Sequence, residues 1–254
     1  MMTEHRKVYN MLNNESKHLL LNWATRQRPG KFMKNLDAYL TMASGKHRIT
    51  VVVSMDKDDL LCNNQHFRKF LDNKKSETVE VIYSYGESLG KIAAINRDIP
   101  TTQWDILIST ADDMEPAEQG WDDIIVQDMI REFPNMDGAL NYNDDPRLVE
   151  KDAEGYKTLI TLPVIGRKLY DRFGYIYHPA YKSECCDNEQ TDVFASLGVL
   201  CHINTTPIIH KWAENQDELM QRNMQVGWSV DRKTYETRKS NNFDLAGIKE
   251  ESVS

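Results

Sequence analysis

The chain has 254 residues, with 31 Lys and Arg against 39 Asp and Glu, and its formal net charge is −8 at pH 7. This length suits one large domain, or one domain with a tail. A chain of this size buries roughly three quarters of the surface that it exposes when unfolded. The acidic balance argues against a protein held to nucleic acid mainly through phosphate contacts.

The sequence shows no targeting or membrane-spanning segment. Its first residues lack the apolar stretch of a signal peptide, and no apolar run approaches the roughly 18–20 residues of a membrane span. The four cysteines, Cys62, Cys185, Cys186 and Cys201, do not have the spacing of a metal site. We therefore expect reduced thiols in a cytoplasmic protein.

Short apolar runs alternate with helix-like stretches along the chain. Strands are predicted at 18–24, 48–54, 78–84, 104–109, 138–142, 158–164 and 206–210. Helices are predicted at 31–43, 60–72, 88–97, 121–132, 166–173, 190–198 and 216–240. Several of the strands are too apolar to have one face in water, which is typical of central strands in a parallel sheet. The alternation predicts an α/β fold: an open, mostly parallel sheet of right-handed βαβ units flanked by helices.

Polar residues follow the first four predicted strands. Open α/β sheets bind ligands beyond the carboxyl ends of their strands, at a topological switch point. The first strand is followed by the cations and turn of 25–31, and the second by Asp56. The third leads to Lys91, which directly follows Gly90, and the fourth to Asp112 and Asp113. Each feature alone is more often a turn, but the set suits a nucleoside diphosphate with a hard divalent cation.

These motifs occur in the order NWATRQRPGKF (22–32), VSMDKDD (53–59), GESLGKIAAINRDI (86–99), WDILISTADDMEP (104–116), GWDDII (120–125), RFGYIYHPAYKSECCDNEQTD (172–192) and IIHKW (208–212). In this order they resemble the GT-A glycosyltransferases, specifically the family-2-like enzymes of bacteria, phages and large viruses. The ending DRKTYETRKSNNFDL (231–245) is also similar to the tail of that group.

The resemblance implies roles for individual residues. Asp56 matches the acid that meets the nucleobase, and Asp112 matches the acid that faces the ribose or sugar. Asp113 and His210 match the ligands of a divalent cation, Mn²⁺ or Mg²⁺, although a lone histidine at such a position is more often part of the core. The other implied donor-binding residues are Ala24, Thr25 and Arg28 of the entry loop, and Lys91 and Asn96 facing the ribose and diphosphate.

The resemblance implies an inverting transfer, in which a carboxylate opposite the leaving group takes the acceptor proton. The base should therefore come from a segment other than Asp112 and Asp113, and 185–192 is the candidate. Many family members carry Glu-Asp here, where this sequence has Glu189 and Gln190. Both Asp187 and Glu189 remain candidates for the base, and Asp187 could also serve only as a helix cap.

The expected organisation is an N-terminal extension (1–17), a GT-A domain (18–212) and a helical C-terminal tail (213–254). Within the domain, 18–116 forms the nucleotide-binding half and 117–212 the acceptor half. The expected donor is a nucleotide sugar, with uridine diphosphate favoured, and the acceptor is a hydroxyl of a glycan, a protein or a modified nucleic-acid base.

Two other functions fit this fold class. A non-catalytic nucleotide- or carbohydrate-binding protein can use the same fold. A sugar-phosphate nucleotidyltransferase would need a Gly-rich first loop that approaches a triphosphate, and the loop ATRQRPGK has no G-x-G.

Overall fold

The computed structural model describes residues 15–144, 159–211 and 218–247. The strands are β1 (His18–Ala24), β2 (Arg48–Asp56), β3 (Val79–Gly86), β4 (Ile106–Thr110), β5 (Met114–Pro116), β6 (Ala139–Tyr142), β7 (Val164–Gly166), β8 (Leu200–Ile203) and β9 (Ile208–His210). The helices are α1 (Pro29–Met42), α2 (Gln65–Asp72), α3 (Lys91–Arg97), α4 (Trp121–Glu132), α5 (Arg167–Phe173), α6 (Cys186–Ser196) and α7 (Glu218–Ser240), followed by a 3₁₀ segment (Asn242–Gly247). None of these helices is both long enough and apolar enough to cross a membrane.

Seven strands form one mixed sheet in the order β3-β2-β1-β4-β7-β6-β8. Only β7 runs antiparallel to its neighbours in this sheet, which confirms the predicted mostly parallel α/β fold. The chain builds outward from β1 to β3 and then returns to place β4 on the other side of β1. The topological switch point therefore lies between the carboxyl ends of β1 and β4. A second, two-stranded sheet pairs β5 with β9.

Both faces of the large sheet are covered, which explains the apolar sequence of its central strands. Leu19 and Trp23 of β1 point to one face and belong to the hydrophobic cluster that contains Phe32 of α1. Leu20 points to the other face and belongs to the cluster that contains Ile92 of α3. All five side chains are fully buried. Successive side chains of one strand therefore pack into two hydrophobic clusters on opposite faces of the sheet.

In the second half of the sheet the strand predicted at 138–142 matches β6, but the predictions fail for β7 and β8. The predicted strand 158–164 overlaps the observed β7 (Val164–Gly166) by one residue, and residue 158 lies outside the described residues. Ile160, Leu162 and Val164 are buried, but Pro163, which is also buried, has no N–H to give to a ladder. The short strands β5 and β8 were not predicted.

Two helices begin four or more residues away from their predicted starts. The helix predicted at 60–72 begins at Gln65, because the Asn64 side chain accepts a hydrogen bond from the Phe67 N–H and caps it. The helix predicted at 190–198 begins at Cys186, after Cys185 in a left-handed conformation with φ of 58°. Asp187 and Glu189, expected at or before the start of this helix, therefore lie inside it. Residues 216 and 217 of the helix predicted at 216–240 lie outside the described residues.

Candidate active site

The switch point holds a buried polar cluster around Asp112. Its two carboxylate oxygens accept hydrogen bonds from Trp23 Nε1 (2.9 Å) and Thr25 Oγ1 (3.0 Å). The Asn35 amide of α1 donates to the Asp112 carbonyl at 3.0 Å. The parallel register of β1 and β4, which sets Trp23 opposite Thr110, brings these residues together. Asp112 thus lies beneath the crevice and ties the end of β4 to the loop after β1.

Burial raises the pKa of Asp112 to about 7, although the hydrogen bonds from Trp23 and Thr25 and the charge of Arg28 lower it. The charge of Asp113 adds to the upward shift. Arg28, which directly precedes α1, is therefore close enough for its charge to act on Asp112. Ala24 ends β1 and its successor Thr25 donates its N–H to the Ser54 carbonyl at 3.1 Å. The predicted entry loop Ala24, Thr25 and Arg28 thus adjoins the acid pair.

Asp113 lies beside His210 because β5 pairs with β9. The Lys211 N–H donates to the Asp113 carbonyl at 2.8 Å, and Met114 faces His210 in the pair. His210 Nε2 lies 3.6 Å from a carboxylate oxygen of Asp113, and His210 Nδ1 lies 3.6 Å from one of Asp144. The imidazole is therefore held between two acids, of which Asp144 was not predicted.

The charge state of His210 follows from these neighbours. Burial lowers its pKa, but Asp113 and Asp144 raise it by more, to about 9. The imidazole is therefore protonated at neutral pH in the absence of a metal. A metal ion bound to this ring would displace the proton, because only the neutral imidazole is a ligand.

Asp113 and His210 would provide two protein ligands for a divalent cation. Across 15–144, 159–211 and 218–247, no group of three or more His, Cys, Asp or Glu side chains is arranged to enclose a metal ion by itself. A cation at Asp113 and His210 would take its other ligands from phosphate oxygens and water, as Mg²⁺ usually does in proteins.

Asp56 lies in an ionic network at the end of β2. Arg26 Nη1 lies 2.7 Å from the Asp56 carboxylate and 2.7 Å from that of Asp58. The Ser88 hydroxyl donates to Asp56 at 3.2 Å, and Asp56 is largely buried. The structure therefore places Arg26 directly on the acid that was predicted to meet the nucleobase. Sequence reasoning grouped Arg26 with the cations of its loop and gave it no partner.

Lys91 and Asn96, both predicted to face the donor, have different surroundings in α3. Lys91 is the first residue of this helix. Desolvation lowers its pKa, but acids that include Glu184, Asp187 and Asp113 raise it by more. Its charge thus acts on both Asp113 and Asp187.

Asn96 makes its hydrogen bonds to the backbone of 176–177. Its amide donates to the Tyr177 carbonyl at 2.6 Å, and its oxygen accepts the N–H groups of Ile176 (2.9 Å) and Tyr177 (3.2 Å). The structure therefore ties Asn96 to this backbone and shows no contact between it and the acid pair.

The two candidate bases differ in their contacts. Asp187 is half-buried, and it accepts a hydrogen bond from the Asn188 N–H at 2.9 Å. Burial raises the pKa of Asp187, whereas the charge of Lys91 lowers it. Glu189 is buried and accepts hydrogen bonds from Arg238 at 2.7 and 2.9 Å and from the Tyr181 hydroxyl at 2.7 Å. These contacts leave Asp187 the more accessible of the two.

Gln190 stands at the position where the sequence resemblance implies an acid. It is buried, and its amide nitrogen donates to the Ile176 carbonyl. An ionised aspartate could not donate this hydrogen bond. The Ile176 carbonyl therefore gives a structural reason for an amide, and not an acid, at position 190.

No protein-family model matches this sequence, and no curated protein is significantly similar to it. Solved structures share the fold. A mannosyltransferase from Pyrobaculum calidifontis, in complex with GDP-Man and Mn²⁺, aligns with a TM-score of 0.61 and 12% identity over 89% of this chain and 69% of its own. The chain has the GT-A-like α/β fold.

Structures of TarS from S. aureus align less closely. One has a TM-score of 0.52 and 14% identity over 83% of this chain and 38% of its own. TarS 1–349 in complex with UDP has a TM-score of 0.52 and 12% identity over 76% of this chain and 60% of its own. This chain spans less than two thirds of either TarS structure, and similarity at such identities shows the fold alone.

Proposed function

We propose that this protein is a metal-dependent glycosyltransferase that moves a sugar from a nucleoside-diphosphate donor to a hydroxyl with inversion. The observation that carries the proposal is the pair of Asp113 and His210, whose carboxylate and imidazole lie 3.6 Å apart where β5 pairs with β9. The charge of Lys91, at the start of α3, acts on both Asp113 and the proposed base Asp187. The likeness to a mannosyltransferase in complex with GDP-Man and Mn²⁺ supports this reaction class.

The donor diphosphate lies between the entry loop and α3 in this proposal. Arg28 and Lys91 supply positive charge from the two sides, and Asp113 and His210 hold the divalent cation, Mn²⁺ or Mg²⁺. A divalent cation in this place offsets the negative charge that develops on the leaving diphosphate. Asp112 holds the end of β4 in position through Trp23 and Thr25.

Asp187 acts as the general base. The acceptor oxygen forms a bond to the anomeric carbon while the bond from that carbon to the diphosphate oxygen breaks, and Asp187 takes the hydroxyl proton. Burial raises the pKa of Asp187, which strengthens it as a base, and Lys91 favours its ionised form. Glu189 is less suited because its oxygens already accept hydrogen bonds from Arg238 and Tyr181.

The nucleobase lies against Asp56, and uracil is favoured. Structures with the same fold have been solved with GDP-Man and with UDP, which supports a nucleoside diphosphate in general. Arg26 contacts Asp56 in the structure, so a base that uses this carboxylate must share it with Arg26 or displace the guanidinium.

The acceptor is proposed only as a hydroxyl of a glycan, a protein or a modified nucleic-acid base. All four cysteines are free, which supports a cytoplasmic location, where thiols stay reduced.

A non-catalytic nucleotide- or carbohydrate-binding protein is the second candidate, because Gln190 and the Arg238-bound Glu189 remove the acid pair that the family pattern expects. Two measurements separate the candidates. A thermal-shift screen of UDP, GDP and CDP with and without Mn²⁺ measures donor binding, since a ligand of the folded state raises the melting temperature. Release of the diphosphate from nucleotide sugars then shows turnover. Mn²⁺-dependent binding without release would favour a nucleotide-binding protein, and no binding of any diphosphate would contradict both the transferase and the nucleotide-binding protein.

A further inference from the structure

One face of α7 contacts the segment that carries the proposed base. Gly227, Asp231, Tyr235, Arg238 and Lys239 follow one another at helical spacing, and each contacts a residue between 181 and 192. The helix therefore lies along the turn before α6 and along α6 itself.

Asp231 is the centre of this contact. Its carboxylate is fully buried and accepts three backbone N–H groups, those of Lys182 (3.0 Å), Ser183 (2.8 Å) and Glu184 (2.8 Å). Burying a carboxylate costs free energy that such charge-assisted hydrogen bonds offset. The carboxylate thus holds three consecutive amides in one orientation.

A glycine lets the helix approach this turn. A Cβ at Gly227 would lie 3.1 Å from side-chain atoms of Ser183, Glu184 and Asp231. Glycine in a helix interior is unfavourable by about 1 kcal/mol relative to alanine, and the close approach provides the physical reason for it here.

The rest of the face holds α6. Arg238 pairs with Glu189 through two hydrogen bonds. The Tyr235 hydroxyl and the Lys239 ammonium both lie 2.7 Å from a carboxylate oxygen of Asp192. These contacts hold α6 itself against α7, in addition to the contact of Asp231 with the preceding turn.

The turn at 182–184 connects to the helix start that carries Lys91 and to the helix that carries Asp187. The Lys182 carbonyl accepts the Ile92 N–H at 3.4 Å, next to Lys91 at the start of α3. On its other side the turn leads through Cys185 into α6, where Asp187 lies in the first turn. A shift of this turn therefore changes the position of Asp187 relative to Lys91.

We propose that Asp231 is a positioning residue for glycosyl transfer: by holding the amides of 182–184, it sets Asp187 against Lys91. This inference rests on the proposed function. It gives α7 a part in the reaction although none of its residues is placed at the donor.

The test is chemical rescue of Asp231→Ala by formate. Alanine keeps the helix propensity and removes the carboxylate, and formate is a small anion that three N–H groups can bind. We expect kcat to fall at least tenfold, the donor Kd to stay within twofold of wild type, and sodium formate to restore kcat where sodium chloride at equal ionic strength does not. The control is Arg232→Ala on an exposed face of α7, where Arg232 contacts Glu236; it should keep kcat and ignore formate.

A folded Asp231→Ala variant with kcat within twofold of wild type would overturn the inference, as would a loss of kcat that formate does not restore. If this variant does not fold, Asp231→Asn replaces it, and wild-type kcat in that variant overturns the inference equally. Hydrogen exchange of the 182–187 amides provides a readout without turnover: protection should be lost in the variant and regained with formate. A wild-type protein that transfers no sugar would refute the proposed function, whereas unchanged amide protection in the variant would refute the role of Asp231.

Discussion

Asp112 and Asp113 are adjacent in sequence but face different surroundings. Asp112 turns inward, where Trp23 and Thr25 donate to both of its oxygens. Asp113 lies beside His210, 3.6 Å from the imidazole. The chain can keep two neighbouring acids because hydrogen bonds satisfy one of them and the cationic ring of His210 lies beside the other.

Asp113→Asn keeps the size of the side chain and removes its charge. We expect the variant to lose the gain in donor affinity that Mn²⁺ gives the wild type, because the cation loses its carboxylate ligand. Isothermal titration of UDP with and without Mn²⁺ measures this gain. Asp171→Asn, a surface acid paired with Arg167, is the control and should bind as wild type. An Asp113→Asn variant that keeps the full Mn²⁺ effect would refute the metal role.

Asp187→Asn and Glu189→Gln should affect different quantities. Asp187→Asn removes the proposed base and should lower kcat by roughly 100- to 10,000-fold with donor Kd nearly unchanged.

Glu189→Gln should instead lower the free energy of unfolding by about 1.5–3 kcal/mol, because it weakens hydrogen bonds to a charged partner. It should lower kcat by less than Asp187→Asn does. Steady-state kinetics and urea unfolding of both variants check this. The opposite ranking in kcat would assign the base to Glu189.

The charge of His210 predicts a pH dependence of stability without added metal. Its pKa rises from 6.5 to about 9 on folding, so its stabilising contribution is complete below pH 6.5 and is lost as the pH rises through 9. The loss is at most about 3 kcal/mol, from ~1.4 kcal/mol per pH unit. Urea unfolding of wild type and His210→Gln across this range measures it as the difference between the two. A difference that stays constant with pH would contradict the ion pairs of His210 with Asp113 and Asp144.

At the scale of elements, the close packing of α7 at Gly227 predicts the sign of a stability change. Gly→Ala in a free helix stabilises by about 1 kcal/mol. Gly227→Ala should be neutral or destabilising, because the added Cβ meets Ser183, Glu184 and Asp231 at 3.1 Å. Ser229→Ala, at an exposed position of the same helix, is the control and should be slightly stabilising. Thermal unfolding of both variants measures the sign, and a clear gain in stability for Gly227→Ala would show that α7 does not pack as closely as described.

The first half of the fold was readable from the sequence because its strands are long and strongly apolar. β1 was predicted with its observed bounds, and β2, β3 and β4 were predicted within two residues at each end. The strands missed or displaced are short: β5 and β7 have three residues each and β8 has four, and the pairing of β5 with β9 is long-range. Periodicity carries little information over three residues.

At the scale of the molecule, the sequence indicates which residues of a single segment are candidates for the site, but not which residues of distant segments contact each other. The rule that residues after strands bind ligands singled out the acid pair, and applied to β6 it would also have found Asp144. Contacts between distant segments, such as Arg26 with Asp56 or Asp231 with the turn at 182–184, had no signal in the sequence, because they depend on tertiary packing. Arg238 and Glu189, 49 residues apart, are a further example.

The central claim is sugar transfer from a nucleotide donor, and the most direct measurement is release of nucleoside diphosphate from a panel of nucleotide sugars. The protein should release UDP or another diphosphate in the presence of Mn²⁺, and chelation of the metal or the change Asp113→Asn should stop the release. Asp187→Asn should bind the donor as wild type does but turn it over more slowly by roughly 100-fold or more. Wild-type protein that releases no diphosphate from any donor, with or without Mn²⁺, would contradict the account.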